Sequence, residues 1–310
     1  MKGIQVNGVD REISSLVMGS GGFTPDDIDR VTDVLNHYLE IGGNTIDTAF
    51  IYSGGRSEEA IGIWMEENKR RDDVIILTKG AHHNADGPRV SKEAIDEELE
   101  ISLERLRTDY VELYALHRDN PEVHVGEILE ILNEHVEAGR IRAFGGSNWS
   151  VERLQEANEY ADKHGLVGFS FSSPNLSLAK PNEPFWAGCV SVDDPMLMWH
   201  EGNRMPLFSW SSQASGFFTG RFTPEDRSNI DIVRVYYSDE NWKRYQRAQQ
   251  MAKEKGVDAV QISLAYVLNQ SFPTAAIIGP QNEQEILSCR QALDISLTEE
   301  EMKWLDLRIK

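Results

Sequence analysis

Asp47, Lys79 and His117 each close an apolar run: Asp47 ends "NTID", Lys79 ends "VIILTK" and His117 ends "VELYALH". Tyr52 follows Asp47 in "DTAFIY". A carboxylate beside an ammonium forms an ion pair that keeps the lysine protonated in a partly dry site. An ammonium beside a phenol favours the phenolate, which would pull the Tyr52 pKa down from about 10. A phenol tuned towards neutrality gives a proton to a carbonyl oxygen and takes one back. An imidazole hydrogen-bonded to the same oxygen fixes its orientation. Such a set suits carbonyl reduction and lacks only a hydride. No side chain supplies one, so a nicotinamide cofactor is expected. Ser147 and Asn148 end a further run, "AFGGSN", and Trp210 ends another, "PLFSW".

These groups meet only if the runs are neighbouring strands of one sheet. Short apolar runs alternate along the chain with longer amphipathic segments. "DDVIILTKG" precedes "SKEAIDEELEISLERLR", "DYVELYALH" precedes "VGEILEILNEHVEAG", and "RIRAFGGSN" precedes "SVERLQEANEYADKHG". "LVGFSFSS", "MPLFSWSS" and "TAAIIGP" continue the series, the last before the helical "NEQEILSCRQAL". Strand and helix patterns in alternation indicate βαβ units and a parallel sheet. Ser57, Ser91 and Ser150 are expected N-caps, each with acidic residues in the following turn. With "SSLVMGSG" as the first strand, eight strand-like runs are present, the number of a (β/α)8 TIM barrel. A doubly wound sheet would carry a glycine-rich dinucleotide loop, but the nearest candidate, "GSGGFT", places Thr24 where the last glycine belongs. One domain over residues 1–310 is therefore expected. "IQVNGVDREIS" reads as an N-terminal β-hairpin around Asn7-Gly8, a lid on one barrel end. Leu178–Asn203 and Ser215–Asn241 read as long loops at the C-terminal face, where barrels place their functional residues.

Composition narrows the partners. The chain has 31 basic and 51 acidic residues and a formal net charge of −20. That argues against nucleic acid or an anionic membrane, both of which need a cationic footprint. No apolar run reaches the roughly 18 residues of a membrane span, and "MKGIQVNGVD" lacks the apolar stretch of a secretory signal. Two cysteines, Cys189 and Cys289, are too few for a disulfide framework. They point to a reducing cytoplasm and to inert thiols. A metal site built from Asp47, His82, His83 and His117 is disfavoured. His82 and His83 are adjacent, and no His-x-His follows the first run. Singly, each residue has an ordinary reading as turn former, surface charge, structural histidine or core tryptophan. Their order along successive strands is what carries chemistry.

The pieces "GGNTIDTAFIYSGGRSEEAIG", "VIILTKG", "RLRTDYVELYALHRDNP", "EAGRIRAFGGSNWS", "SWSSQASGFFTGRF" and "AIIGPQNEQEILSCRQAL" together resemble the aldo-keto reductases along nearly the whole chain. The resemblance implies an NAD(P)H-dependent oxidoreductase acting on a small carbonyl or alcohol. It implies Tyr52 as proton donor, with Asp47, Lys79 and His117 completing a tetrad. It further implies Ser147 and Asn148 on the nicotinamide carboxamide and Trp210 stacked on the ring. The stretch from Ser211 to Gly220, including Gln213 and Gly216, would wrap the pyrophosphate together with Arg221. The loop from Gly279 would receive the adenosine end. The chain departs from the family pattern in three places. Ser173 stands where a glutamine usually bonds the carboxamide, and Trp210 stands for a tyrosine. Gln281, Asn282 and Glu285 replace the basic residues that hold the 2′-phosphate of NADP(H). A carboxylate there repels a phosphate, so NAD(H) is left open beside the usual NADP(H). The runner-up, also from the resemblance, is a cofactor-binding regulatory subunit of another protein. Phe23, Phe50, His82, His83, Trp149, Phe185 and Trp186 are expected to line the substrate pocket.

Overall fold

The computed structural model describes Met1 and residues 3–310. Two short strands, β1 (Gly3–Ile4) and β2 (Ile13–Ser14), pair antiparallel on either side of the Asn7-Gly8 turn. Eight strands follow: β3 (Leu16–Gly19), β4 (Thr45–Asp47), β5 (Ile75–Gly80), β6 (Val111–Leu116), β7 (Ile141–Ser147), β8 (Phe171–Ser173), β9 (Leu207–Ser209) and β10 (Thr274–Ile278). They close into a barrel in chain order, β10 pairing back onto β3, with every pairing parallel. Helices cover the outside. The expected (β/α)8 barrel with an N-terminal hairpin is the observed architecture.

The period-2 alternation of a strand divides its side chains between two environments. Met18, Ile46, Ile76, Tyr114, Leu116 and Phe144 point outwards and pack under the helices. Val17, Ile75, Leu77, Leu113, Ala115, Ala143, Phe171, Phe208 and Ala275 point inwards and fill the barrel. The hairpin adds Ile4, Val6, Val9 and Ile13 to this inner cluster, so it plugs the N-terminal end. With that end filled, the open face is where the strands finish. The inward parity of Ile75 and Leu77 carries to Lys79, that of Leu113 and Ala115 to His117, and that of Ala143 to Ser147. Register sets the heights: Asp47 lies beside Leu77, Lys79 beside Ala115 and Ser147 beside Ser173.

Ser91 and Ser150 cap their helices as expected, accepting from the N–H groups of Ala94 and Arg153. Ser57 does not cap. The helix Arg56–Asn68 is entered through Gly55 in a left-handed conformation, and Ser57 lies inside its first turn. There its hydroxyl bonds Ser20 and Thr48, tying the helix to the ends of β3 and β4. The two expected long loops are partly regular. Leu178–Asn203 contains the helix Asp194–Asn203, the covering helix between β8 and β9, and Ser215–Asn241 contains the helix Ile230–Tyr236. Among the described residues, no helix is long and apolar enough to cross a membrane.

Candidate active site

Lys79 organises the barrel mouth. An ammonium has three N–H donors, and three oxygens surround this one. Its Nζ lies 2.5 Å from Asp47 Oδ1, 2.8 Å from the Thr48 carbonyl and 3.3 Å from Tyr52 Oη. Lys79 and Asp47 are both about 2% exposed, so water solvates neither and each depends on the other. Burial disfavours the ammonium, but Asp47 and Tyr52 outweigh it and hold the Lys79 pKa above its usual value. Tyr52 sits in a short helical turn whose next residues, Ser53, Gly54 and Gly55, are all left-handed (φ 51°, 67° and 93°). The loop is fixed to the end of β5 by Thr48 N–H on the Leu77 carbonyl and Phe50 N–H on the Lys79 carbonyl. The phenol is thereby held against the ammonium rather than left on a free loop.

The phenol's acidity corrects the expectation from sequence. Burial raises the Tyr52 pKa, and the nearby Asp47 charge adds to the rise, so the pull of Lys79 does not bring it below the usual phenol value. A carboxylate and an ammonium side by side largely cancel at the phenol, which leaves desolvation in charge. His117 approaches Tyr52 edge-on, with ring centroids 5.7 Å apart. Burial, then the cations Lys79 and Arg118, hold its pKa well below the histidine range, so the imidazole is neutral. Its Nδ1 is buried without a partner, and its ring makes no hydrogen bond among the described residues. Nε2 remains to address a substrate.

These four residues line a cleft of about 1170 Å³. That exceeds the roughly 300–1,000 Å³ usual for one small ligand and leaves room for a dinucleotide and a substrate together. Ser147, Asn148, Trp210, Ser211, Gln213, Gly216, Arg221, Gly279, Gln281 and Glu285 line it too. The 211–221 part of this lining is a tight turn that carries a cation. Ser211, Ala214, Ser215 and Gly216 are all left-handed, so the chain turns tightly here, with the Ala214 and Gly216 N–H groups donating to the Ser211 and Gln213 carbonyls. The Arg221 guanidinium folds onto the same turn, 2.5 Å from the Ser215 carbonyl, and a Cβ on Gly216 would come within 2.6 Å of it. These features fit a dinucleotide pyrophosphate.

Two expected cofactor contacts are not brought to the cleft. Ser173 is fully buried, and its hydroxyl donates to the Phe208 carbonyl. Asn282 caps the helix Glu283–Ala292, accepting from the Glu285 N–H. Of the expected pocket aromatics, His82, His83 and Trp186 line the cleft. Phe23 and Trp149 are buried in the outer core, Phe50 lies under Arg105, and Phe185 packs on Trp186 and against the core beneath it. Both cysteines reach the cleft wall, and burial pushes both thiols up, Cys289 to about 12. Arg118 also lines the cleft and escaped sequence reasoning. Only its following His117 and the adjoining "HRDNP" marked the place, and neither tells a buried arginine from a surface one.

Residues 15–308 match the family model described as the Aldo/keto reductase family. The chain belongs to this family. It is 28% identical over 276 residues to the aldo-keto reductase YhdN of Bacillus subtilis, covering 86% of this chain and 79% of that protein. It is also 28% identical over 282 residues to a probable voltage-gated potassium channel subunit beta of Oryza sativa subsp. japonica, covering 87% and 83% respectively. The solved structure of a glycerol dehydrogenase from Gluconobacter oxydans superposes with a TM-score of 0.80 at 25% identity, over 98% of this chain and 94% of that one. As an aldo-keto reductase the protein is an NAD(P)H-dependent oxidoreductase.

Proposed function

We propose that this aldo-keto reductase reduces the carbonyl of a small aldehyde or ketone, and oxidises the alcohol in reverse, with Tyr52 as general acid and base. The carrying observation is the Lys79 ammonium held between Asp47 at 2.5 Å and the Tyr52 hydroxyl at 3.3 Å, with His117 edge-on to the Tyr52 ring. A reduced nicotinamide held in the cleft would supply the hydride for the carbonyl carbon. Tyr52 gives its phenolic proton to the carbonyl oxygen in the same act. Because Lys79 donates to Tyr52 Oη, it stabilises the phenolate that this transfer leaves. Asp47 keeps Lys79 charged and in place. Neutral His117 donates from Nε2 to the carbonyl oxygen and orients it for the phenol.

Ser147 and Asn148 would hold the nicotinamide amide, Trp210 its ring face, and the 211–221 turn with Arg221 the pyrophosphate. Gly279, Gln281 and Glu285 would receive the adenosine end. Asn148 is well fixed for this. Its side chain accepts from the Val190 N–H at 3.0 Å and donates to Ser147 Oγ at 3.0 Å.

The likeness to a probable potassium channel subunit supports a second reading, a cofactor-binding regulatory subunit with little turnover. One assay separates the two. Loss of the near-ultraviolet absorbance of reduced nicotinamide is followed over a panel of aldehydes and ketones, for the wild type and for Tyr52→Phe. Turnover that falls by about 100-fold or more in the variant supports the reductase. Tight cofactor binding without turnover of any carbonyl would replace it with the regulator.

A further inference from the structure

Arg118 is a buried cation without an acid. It follows His117 at the end of β6, is about 8% exposed and lines the cleft beside the proposed catalytic residues. Its Nη1 donates to the His117 carbonyl at 2.8 Å and its Nη2 to Cys189 Sγ at 3.4 Å. Its Nε is buried with no partner. A guanidinium has five N–H donors, so most of its capacity is unused. No carboxylate among the described residues pairs with it. The nearest in sequence, Asp119, is engaged by Arg153 at 2.9 Å, and Asp47 is engaged by Lys79. Cys189 does not neutralise it either, because burial favours the protonated thiol. The surroundings add no negative charge. His82 packs against His83 with centroids 4.2 Å apart and the rings tilted by 31°, and meets His117 edge-on at 4.9 Å. In a chain of net charge −20 this pocket is a local exception.

A buried, unpaired charge is costly, and an anionic group on a ligand would offset that cost. We propose that Arg118 anchors a carboxylate on the substrate, so that the site takes short oxo acids in preference to neutral aldehydes and ketones. The inference rests on the reductase reading above and adds the substrate class to it. A carboxylate fits better than a phosphate ester. Its two coplanar oxygens match the guanidinium fork, and a single cation balances a monoanion rather than a dianion. The cofactor's phosphates are assigned above to the 211–221 turn, which has its own cation, Arg221. The loop at Gly188 packs over the guanidinium, where a Cβ would lie 3.6 Å from Arg118 Cδ and Nε. Together with the His117 carbonyl, it holds the fork in one orientation, which suits a positioning cation.

The test uses matched substrates: 4-formylbenzoate against its methyl ester, and succinic semialdehyde against butanal. For each pair the ratio of kcat/KM, acid over neutral, is measured for the wild type, Arg118→Met and Arg118→Lys. The wild-type ratio should be at least about 10. It should fall by about 10- to 100-fold in Arg118→Met, the scale of a lost charge-assisted hydrogen bond, and by less in Arg118→Lys. A second readout needs no turnover: thermal stabilisation by benzoate compared with benzamide, which should favour benzoate only while residue 118 is cationic. Should Arg118→Met not fold, the wild-type ratios and the lysine variant still decide. Equal turnover of acidic and neutral members by the wild type, or a ratio unchanged in Arg118→Met, overturns the carboxylate anchor and leaves the reductase standing. Arg118-dependent binding of benzoate without turnover of any carbonyl supports the anchor and removes the reductase.

Discussion

Replacing Lys79 by methionine keeps much of the side-chain volume and deletes the charge. Three interactions go with it, to Asp47 at 2.5 Å, the Thr48 carbonyl at 2.8 Å and Tyr52 Oη at 3.3 Å. Asp47, about 2% exposed, is left as an uncompensated buried carboxylate. Breaking one side of a buried pair costs about 3–5 kcal/mol, or roughly 5–8 °C in Tm for a chain of this size. The penalty should depend on pH in a definite direction. Burial already pushes the Asp47 carboxyl up against the pull of Lys79, and without Lys79 its folded pKa rises further above the unfolded value of about 3.9. The loss relative to wild type is therefore full above that raised pKa and shrinks as pH falls through it towards about 3.9, because a proton neutralises the carboxylate. Urea denaturation midpoints at several pH values between neutral and mildly acid measure this. Asp47→Asn on top of Lys79→Met should recover most of the stability without restoring activity. A Lys79→Met protein as stable as wild type at neutral pH would refute the ion-pair reasoning, as would a double variant no better than the single one.

Trp210→Ala should weaken cofactor binding by about 1–2 kcal/mol, the scale of a lost stacking platform, read as the dissociation constant from fluorescence titration; an unchanged constant moves the ring elsewhere. Glu285 lines the cleft with its carboxylate on the Gln281 N–H at 2.8 Å. Glu285→Arg should therefore raise NADPH affinity over NADH by about 10-fold, since only NADPH has the 2′-phosphate, and equal shifts for both cofactors would show that residue 285 does not face the ribose. His117 is neutral when folded, held low by burial and by Lys79 and Arg118, whereas the unfolded chain protonates it near pH 6.5. The stability it contributes is complete above about pH 6.5 and is lost as pH falls through the folded pKa. His117→Gln should flatten part of the acid-side decline in the urea midpoint, and an unaltered slope would remove His117 from the acid-sensitive groups.

The barrel was legible because alternation of apolar runs and amphipathic helices is a long-range, repeated signal, and strand parity then fixes which strand-end residues face inwards. Asp47, Lys79, His117 and Ser147 followed from that alone. What was not legible depends on tertiary packing. Ser57 has the sequence context of a cap, yet buried hydroxyls at Ser20 and Thr48 draw it inwards. Phe23 and Trp149 occupy loop positions that suggest a pocket, yet each gains more by burial in the core. Ser173 has the right register beside Ser147, but its short side chain reaches the Phe208 carbonyl before it reaches the cleft. The Tyr52 pKa direction required knowing that desolvation outweighs an ion pair whose charges largely cancel at the phenol. Arg118 could be recognised only once every nearby carboxylate was seen to have another partner.

The central claim, that this cleft moves a hydride to a carbonyl carbon while Tyr52 supplies the proton, is tested most directly by isotope transfer. Wild type and Tyr52→Phe are incubated with reduced nicotinamide cofactor carrying deuterium at the transferring carbon, together with an aldehyde that the wild type accepts, and the alcohol is analysed by mass spectrometry. One deuterium per alcohol, on the former carbonyl carbon, is expected from the wild type. Tyr52→Phe should form that product at least about 100-fold more slowly with its cofactor dissociation constant nearly unchanged. Alcohol without deuterium, or a Tyr52→Phe enzyme that labels product at the wild-type rate, would contradict it.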